Sequence, residues 1–234
     1  MNFANVQSIT IPEGDVKSIA IGGVTVWQKP NPLPYDAEVE WVSAPSGAYV
    51  DSGVTLGPTM SVEADAVSQG NTHNQRLFGN ADSTLGNTVL YVNGSGYMAA
   101  IIAGTGGYND YEPTAGRRVT ATLDLSDGGA EIVITYPNGT VRTKSLSLGR
   151  LADAYSGTMP IFALRRPTYV DTTVECLFRL SSLRVYAGSV LVRDLVPVRV
   201  GTAGALYDRV TGTVFRSATS TPLVAGPDKN GGAA

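Results

Sequence analysis

Histidine and cysteine are almost absent from this 234-residue sequence, which contains one of each, His73 and Cys176. A Ser-His-Asp triad, a Cys-His pair or a multi-histidine zinc site would have to be built around His73 alone. That residue lies in a polar loop without a nucleophile motif nearby, so we expect no catalytic residue and no metal ligand there. A lone cysteine cannot form an internal disulfide, and Cys176 is predicted to be a small buried side chain in a strand.

Basic clusters and long apolar runs are also missing. The sequence has 17 Lys and Arg against 20 Asp and Glu, a net charge of -3, and its basic pairs, Arg117-Arg118 and Arg165-Arg166, stand alone. A nucleic-acid or anionic-membrane partner would need a clustered basic face, so neither is expected. No stretch reaches the ~20 apolar residues of a membrane span, and the first residues lack the features of a signal peptide. We therefore expect no membrane insertion and a protein that is soluble where it is made.

Glycine and proline are frequent, with 27 and 13 residues, and they separate short segments in which apolar and polar residues alternate. No window keeps a helical apolar spacing for more than a turn or two, so the sequence predicts an all-β protein. The predicted strands from Tyr35 onwards are 37–42, 48–54, 59–67, 75–80, 87–92, 97–103, 117–124, 130–136, 140–146, 159–165, 173–186, 190–197 and two short closing strands.

Turn signals place several of these strands side by side. Asn138-Gly139 joins two alternating arms and predicts an antiparallel hairpin. Residues 187–189 (AGS) predict a second hairpin, whose second arm we expect to end at Pro197 because proline donates no ladder hydrogen bond. Residues 208–212 predict a third, short hairpin. Two packed antiparallel sheets are the natural way to bury so many half-apolar strands.

The chain is predicted to have four parts. Residues 1–28 form a β-meander, with strands at 8–11, 16–21 and 24–27, that has too little apolar surface to fold alone. We interpret it as an attachment or oligomerisation module; packing against its own main domain is the alternative. Residues 29–34 contain three prolines and predict an extended linker. The main domain covers 35–227, and the polar, glycine-rich residues 228–234 predict a flexible tail.

Several short blocks of the main domain agree, in order, with a known pattern. They are residues 191–197 (LVRDLVP), 206–215 (LYDRVTGTVF) and 225–227 (AGP), preceded by 47–54 (GAYVDSGV). In these blocks the sequence resembles the laminin G-like, concanavalin A-like domains of phage tail and other virion proteins and of gut bacterial surface proteins. The resemblance implies an all-β, two-sheet antiparallel concanavalin A-like jelly-roll sandwich, preceded here by the small N-terminal β module.

The same resemblance implies a function. It indicates a phage virion structural protein, such as a tail-fibre, receptor-binding or capsid-decorating protein, whose sandwich mediates adhesion to host surface carbohydrate. The expected partners are other virion proteins, contacted through the N-terminal module, and a host surface glycan. The expected location is the virion, and the expected state is a homo-oligomer, with a trimer as one option. A bacterial surface carbohydrate-binding adhesin is the alternative, weakened by the missing signal peptide.

A polysaccharide-degrading enzyme of the concanavalin A fold is a further alternative. Such enzymes need two or three acids on one strand face, and Glu38 with Glu40, or Glu63 with Asp65, would share a face because residues i and i+2 do. The third acid of the E-x-D-x-E type pattern is missing after Asp65. We therefore expect the protein not to be an enzyme.

Two loop regions complete the candidate sites. Asp110, Asp124 and Asp127 lie in or beside loops, and although their spacing matches no defined calcium loop, a structural calcium ion stays open; no other cofactor is expected. The loop 104–116 carries Tyr108, Asn109, Asp110 and Tyr111. Aromatic faces with amide and carboxylate partners suit sugars, so these four are the candidate ligand-binding residues, with loop anchoring by the tyrosines as the alternative.

Overall fold

The structure, a computed structural model, describes residues 18–21, 24–28, 33–70, 75–109, 113–173 and 176–229. The chain divides into two compact units, Met1–Leu33 and Pro34–Ala234. The described residues contain no helix, and hence none long and apolar enough to cross a membrane.

The first unit contains one described hairpin. Strands β1 (Ser18–Ile21) and β2 (Val24–Gln28) pair antiparallel, with a register shift between Ile19 and Ala20. They correspond to the last two predicted strands of the meander, whereas residues 8–11 lie outside the described part of the chain. The attachment role of residues 1–28 and the linker at 29–34 stay predictions.

The second unit is built of short strands in close succession. In chain order they are β3 (Ala37–Glu38), β4 (Val42–Ala44), β5 (Val50–Thr55), β6 (Met60–Ser68), β7 (Gln75–Asp82), β8 (Gly86–Val92), β9 (Met98–Ile102), β10 (Thr105–Tyr108), β11 (Arg118–Asp124), β12 (Gly129–Thr135), β13 (Val141–Ser147), β14 (Thr158–Ile161), β15 (Leu164–Arg165), β16 (Val170–Asp171), β17 (Cys176–Ala187), β18 (Val190–Val200), β19 (Ala203–Asp208), β20 (Thr213–Phe215) and β21 (Val224–Ala225).

These strands form two sheets. The larger one has the order β13-β12-β11-β6-β17-β18-β19-β20, with β4 beside β17, β21 beside β4 and β3 beside β18. The smaller one has the order β10-β9-β8-β7-β14-β5, with β15 and β16 at its side. Among the described strands, every pairing is antiparallel except that of β15 with β7. The three hairpins predicted from turn signals are confirmed, with Gly139, Gly188 and Gly212 all at positive φ in their turns.

The hydrophobic core draws on strands of both sheets. Strand β6 shows how the pattern works: Val62, Ala64 and Ala66 are buried in the core, whereas the residues between them are half-exposed. The largest fully buried side chains include Phe78 of the smaller sheet and Phe178 of the larger one. Alternation with a period of two therefore supplies one apolar face per sheet, as a two-layer sandwich requires. The predicted all-β, two-sheet antiparallel sandwich is confirmed.

Strand β10 corrects one prediction, since it lies inside the segment predicted to be a loop. It pairs with β9 through a two-residue turn in which Ala103 and Gly104 both have positive φ, at 48° and 79°. Such turns normally contain Asn-Gly or Asp-Gly, so the Ala-Gly sequence did not predict a hairpin here. The strand also contains Gly106 and Gly107 in place of alternating apolar residues.

Further strand boundaries differ from those predicted. The predicted strand 37–42 is divided into β3 and β4. The predicted strand 159–165 is interrupted at Phe162, which has φ 68° and donates its N–H to Leu77 O at 2.6 Å. Pro197 does not end β18, which continues to Val200. At this position β18 passes from its partner β17 to its partner β3. The missing N–H of Pro197 therefore lies where β18 changes its partner strand, so its absence removes few hydrogen bonds from the sheet.

The beginning of the predicted tail is attached to the sandwich. Asp228 forms a bridge with Val39, and its carboxylate accepts hydrogen bonds from Arg199 at 2.9 and 3.2 Å. Lys229 donates its N–H to Glu38 O at 2.9 Å. Residues 230–234 lie outside the described part of the chain.

Cys176 begins β17 and is buried, as predicted. Its Sγ lies 3.2 Å from Arg76 O, and burial raises the pKa of the thiol to about 12. The thiol is therefore a packing group that stays protonated.

A buried ion pair holds β16 against β7. Asp171 Oδ2 accepts a hydrogen bond from Arg76 Nη1 at 2.7 Å, and Oδ1 accepts one from Thr173 Oγ1 at 2.6 Å. Burial opposes ionisation, but the bonds from Thr173 and Arg76 outweigh it and lower the pKa of Asp171 to about 2. The carboxylate is thus more stable as an anion in the folded protein than in the unfolded chain.

We predict that Asp171→Asn lowers the free energy of unfolding at neutral pH by about 2 kcal/mol. The folded pKa lies below the ordinary value of 3.8, so this stabilisation is complete above that value and disappears as the pH falls towards about 2. Urea unfolding of the wild type and of Asp171→Asn, repeated between neutral and acid pH, measures the difference in their free energies of unfolding. Asp127→Asn, at a side chain that is 81% exposed, is the control. If wild type and Asp171→Asn still differ in their free energy of unfolding at a pH of about 2, the prediction is wrong.

Candidate functional site

A groove of about 520 Å³ runs across the outer face of the larger sheet. Strands β6, β17 and β18 form its floor, and Trp41, Arg118, Arg209 and Lys229 come from neighbouring elements. The full lining consists of Glu40, Trp41, Asp65, Val67, Arg118, Ser181, Ser182, Arg184, Asp194, Val196, Arg209 and Lys229. We call this feature the outer groove.

A β-bulge gives the groove two adjacent hydroxyls. The register between β17 and β6 shifts between Leu180 and Ser182, while Leu180 and Leu183 are both buried in the core. The extra residue lets Ser181 and Ser182 both line the groove, although they are consecutive. Within the described residues neither hydroxyl makes a hydrogen bond, so both are available to a ligand.

Ion pairs between strands fix the charged side chains of the floor. Arg184 lies between Glu63 and Asp194, its partners across β6 and β18. Its Nε is 3.2 Å from Asp194 Oδ1, and its Nη1 is 3.9 Å from Glu63 Oε2. Asp65 accepts two bonds from Arg118, from Nε at 2.8 Å and from Nη2. Opposite charges on neighbouring strands stabilise each other and hold their side chains in place.

A second ionic cluster closes one side of the groove. Glu38 Oε1 accepts a hydrogen bond from Arg209 Nη2 at 2.8 Å, and Lys229 Nζ lies 3.7 Å from Glu38 Oε2. Burial raises the pKa of Glu38, but the bond from Arg209 and the nearby cations outweigh it and hold that pKa below its usual value. This carboxylate therefore stays ionised.

Trp41 gives the groove its aromatic surface. Its indole is half-buried and packs against Gly226, which donates its N–H to Trp41 O at 2.8 Å. The guanidinium of Arg179 lies 4.3 Å from the ring centroid. The ring therefore contacts Gly226 and Arg179 beside the polar floor.

The lining combines three carboxylates, four cationic side chains, two serines and one indole. Most of the charges are neutralised by each other, so the groove has no strong field that would select an anion or a cation. It offers donors and acceptors at fixed positions beside an apolar ring. This composition suits a neutral ligand with many hydroxyls.

The acids considered for an enzyme lie on or beside this face. The side-chain contacts described for their carboxylates are with cationic side chains or hydroxyls. Asp65 is bound by Arg118, and Glu63 lies 3.4 Å from Tyr186 Oη and 3.9 Å from Arg184. Glu38 is bound by Arg209. The cations beside Glu38 hold its pKa below the usual value, whereas a carboxylic acid that donates a proton needs a raised pKa.

Of the predicted ligand-binding residues, the structure describes Tyr108 and Asn109, which lie at the end of β10, an edge strand of the smaller sheet. Tyr108 is 51% exposed, and its ring lies 5.8 Å from that of Tyr97. The side chain of Asn109 is fully buried, with Nδ2 3.4 Å from Met98 O, so it holds the end of β10 and cannot reach a surface ligand. Asp110 and Tyr111 lie outside the described residues. Ligand binding by this loop stays a prediction.

The acids considered for calcium have other partners. Asp124 Oδ1 accepts bonds from Ser126 and from the N–H of Asp127, and these bonds lower the pKa of Asp124. Asp127 lies 3.7 Å from Arg150. Among the described residues, no three His, Cys, Asp or Glu side chains form a cluster that could hold a metal ion. Asp110 and His73 lie outside those residues.

Sequence reasoning missed most of the outer groove. Trp41, Arg118, Arg184 and Asp194 carry no motif, because they meet only when distant strands pair. One signal was present: Ser181-Ser182 between two leucines breaks the period of two, which is the sequence mark of a bulge.

We predict that Gly226→Ala disturbs the aromatic wall. A Cβ at this position would lie 2.6 Å from Trp41 Cε2, so the indole has to move. The expected cost is about 1–3 kcal/mol of stability, together with a changed Trp41 fluorescence in a Trp27→Phe background. Thermal unfolding and emission spectra measure both effects. Gly94→Ala, where nothing lies within 4 Å of the added Cβ, is the matched control. If the two variants have the same stability and the same emission spectrum, the close packing of Gly226 against Trp41 is wrong.

Comparisons with known proteins agree with the fold. No protein-family model matches the chain, and no curated protein matches it significantly. Its fold is similar to that of a candidate carbohydrate-binding protein from Bacteroides ovatus, with a TM-score of 0.51 and 11% identity over 81% of this chain. The chain spans 60% of that protein.

Two weaker similarities are to tailspike protein 2 of the Escherichia coli O157:H7 bacteriophage CBA120, in its enzymatically active domain, and to peanut lectin. The first has a TM-score of 0.40 and 17% identity, covering 69% of this chain and 29% of the other. The second has a TM-score of 0.34 and 9% identity, covering 72% and 93%. At 11% identity, the similarity to the Bacteroides ovatus protein supports the fold alone.

Proposed function

We propose that this chain is a carbohydrate-binding β-sandwich that acts without catalysis, and that the outer groove holds the glycan. The proposal rests on the composition of the groove. Ser181 and Ser182 present unbonded hydroxyls beside ion-paired side chains and the indole of Trp41. The similar fold of a candidate carbohydrate-binding protein supports it.

The biological setting is inferred from the blocks at 191–197, 206–215 and 225–227. Their resemblance to virion proteins supports a role as a phage tail-fibre, receptor-binding or capsid-decorating protein. In that role the sandwich binds a host surface glycan, and residues 1–28 attach it to other virion proteins or to further copies of itself.

A glycan array followed by calorimetry with the best-bound glycan tests the groove. We expect the double variant Ser181→Ala, Ser182→Ala and the single variant Arg184→Ala each to weaken binding by roughly tenfold or more, because each removes hydrogen bonds made to the ligand. Arg150→Ala, an arginine with a 71% exposed side chain, should bind normally.

Three outcomes would reject this function. Silence of the array favours a purely structural decoration protein. Binding that survives both groove variants places the glycan elsewhere. Release of reducing sugar from a bound polysaccharide, abolished by Asp65→Asn, would establish an enzyme.

The attachment role is tested by molar mass in solution. Light scattering should show a stable oligomer for the full chain and a folded monomer for residues 35–234, which contain the hydrophobic core of the sandwich. If both proteins are monomers, residues 1–34 do not bring copies of the chain together, and self-assembly through them is wrong.

A further inference from the structure

A second depression lies on the larger sheet, where the order of its strands ends at β13. Its volume is about 260 Å³. Strands β11, β12 and β13 supply its lining, which consists of Thr122, Asp124, Gly129, Ala130, Glu131, Ser145 and Leu146. None of these residues lines the outer groove. We call this feature the distal depression.

The strand register places the distal depression on the same face as the outer groove. Residues directly opposite each other on neighbouring strands lie on one face of a sheet. Glu63 of β6 is opposite Arg184 of the outer groove on one side and opposite Thr122 on the other. Thr122 is opposite Glu131, and Glu131 is opposite Ser145. These five side chains therefore form one row across β17, β6, β11, β12 and β13, which we call the polar row.

The side chains of the polar row are open to a ligand. That of Arg184 is 48% exposed and that of Glu63 is 40% exposed. Glu131 and Ser145 are exposed, and Thr122 is half-buried. Among the described residues, the side chains of Thr122, Glu131 and Ser145 make no hydrogen bond or ion pair. Their oxygens can therefore bond to a ligand without breaking a bond within the protein.

Gly129 leaves the distal depression open because it has no side chain. It lies opposite Asp124 and Ser147, two residues before Glu131 and hence on the same outer face. A Cβ built on Gly129 would have nothing within 4 Å. The surface of the depression is largely apolar, while Glu131 and Ser145 supply polar groups. An apolar surface with a few polar groups suits the C–H face and the hydroxyls of a sugar ring.

The length of the polar row sets the size of the ligand. Neighbouring strands are about 4.8 Å apart, so a row across these strands spans about 19 Å. A sugar unit in an extended chain advances about 5 Å, which is close to one strand spacing. A chain of about five units therefore reaches from the outer groove to the distal depression.

Charge narrows the chemistry of that chain. Glu63 and Glu131 belong to the polar row, and Asp124 lines the distal depression beside them. Arg184 is the only cation of the row, and it already contacts Glu63 and Asp194. A chain that carries carboxylates, sulfates or phosphates would therefore be repelled at the distal end.

We propose that the outer groove and the distal depression form one extended site, which binds a linear, neutral glycan of about five units across the strands. This inference rests on the proposed function of the outer groove and adds the class of glycan. The glycan is held along its chain, with its sugar units over successive strands, and not by one terminal sugar.

Calorimetry of the full chain with oligosaccharides of increasing length tests the extended site. The probes are linear β-1,4-linked oligomers of glucose, mannose, xylose and N-acetylglucosamine, from two to six units, and any linear glycan that the array identifies. We expect the affinity for at least one series to rise roughly tenfold or more between two and five units and then to level off. Oligogalacturonate of five units, an acidic chain, should not bind.

Gly129→Leu fills the distal depression without disturbing the fold, because the added side chain meets nothing within 4 Å and the φ of Gly129 is not positive. We expect this variant to lower the affinity for five units to about that for two units, and to bind two units as the wild type does. Gly94→Leu, also with nothing within 4 Å of the added Cβ, is the matched control and should bind every length normally.

The results separate this inference from the proposed function. If the double variant Ser181→Ala, Ser182→Ala weakens binding but the affinity does not rise with length, the outer groove holds the glycan and the extended site is wrong. The same conclusion follows if Gly129→Leu binds five units as tightly as the wild type does, or if only single terminal sugars bind. Binding of oligogalacturonate would contradict the choice of a neutral chain. If neither the oligosaccharides nor the array glycans bind, the proposed function fails and the extended site fails with it.

Discussion

The pairing of β6 with β17 is the contact on which both faces of the larger sheet depend. Val62, Ala64 and Leu183 point from these strands into the core, while Asp65 and Arg184 point into the outer groove. Because the side-chain period is two, a slip of one residue would bury the charges and expose the apolar set. The hydrophobic effect that fixes the register therefore also positions the polar side chains of the groove.

Departures from regular strand geometry shape both sheets. The bulge at Ser181 turns two hydroxyls to one side of the sheet, which a regular strand cannot do. The positive φ of Phe162 separates β14 from β15 and lets Arg165 pair in parallel with Asn80. Backbone irregularity of this kind costs free energy, and the buried surroundings of Phe162 hold it in place.

The sequence predicted what depends on neighbours along the chain. Alternation and the turns at Asn138-Gly139 and at 208–212 were enough for the two-sheet sandwich and its hairpins. The outer groove was not predictable, because Asp65 and Arg118 are 53 residues apart and meet only through the register of β6 with β11. Strand β10 was missed because its turn uses Ala103 at positive φ. Asn109 looked like a ligand-binding residue because sequence does not report its burial.

The paired arginines agree with the proposed choice of a neutral ligand rich in hydroxyls. In the outer groove, Arg118, Arg184 and Arg209 each contact a carboxylate. An arginine that is already paired binds an incoming anion weakly, because that anion has to compete with a fixed partner. Its remaining N–H groups can still donate to a neutral oxygen. A glycan held in this groove would therefore be selected by the geometry of its hydrogen bonds, which is the kind of selectivity that distinguishes one sugar from another.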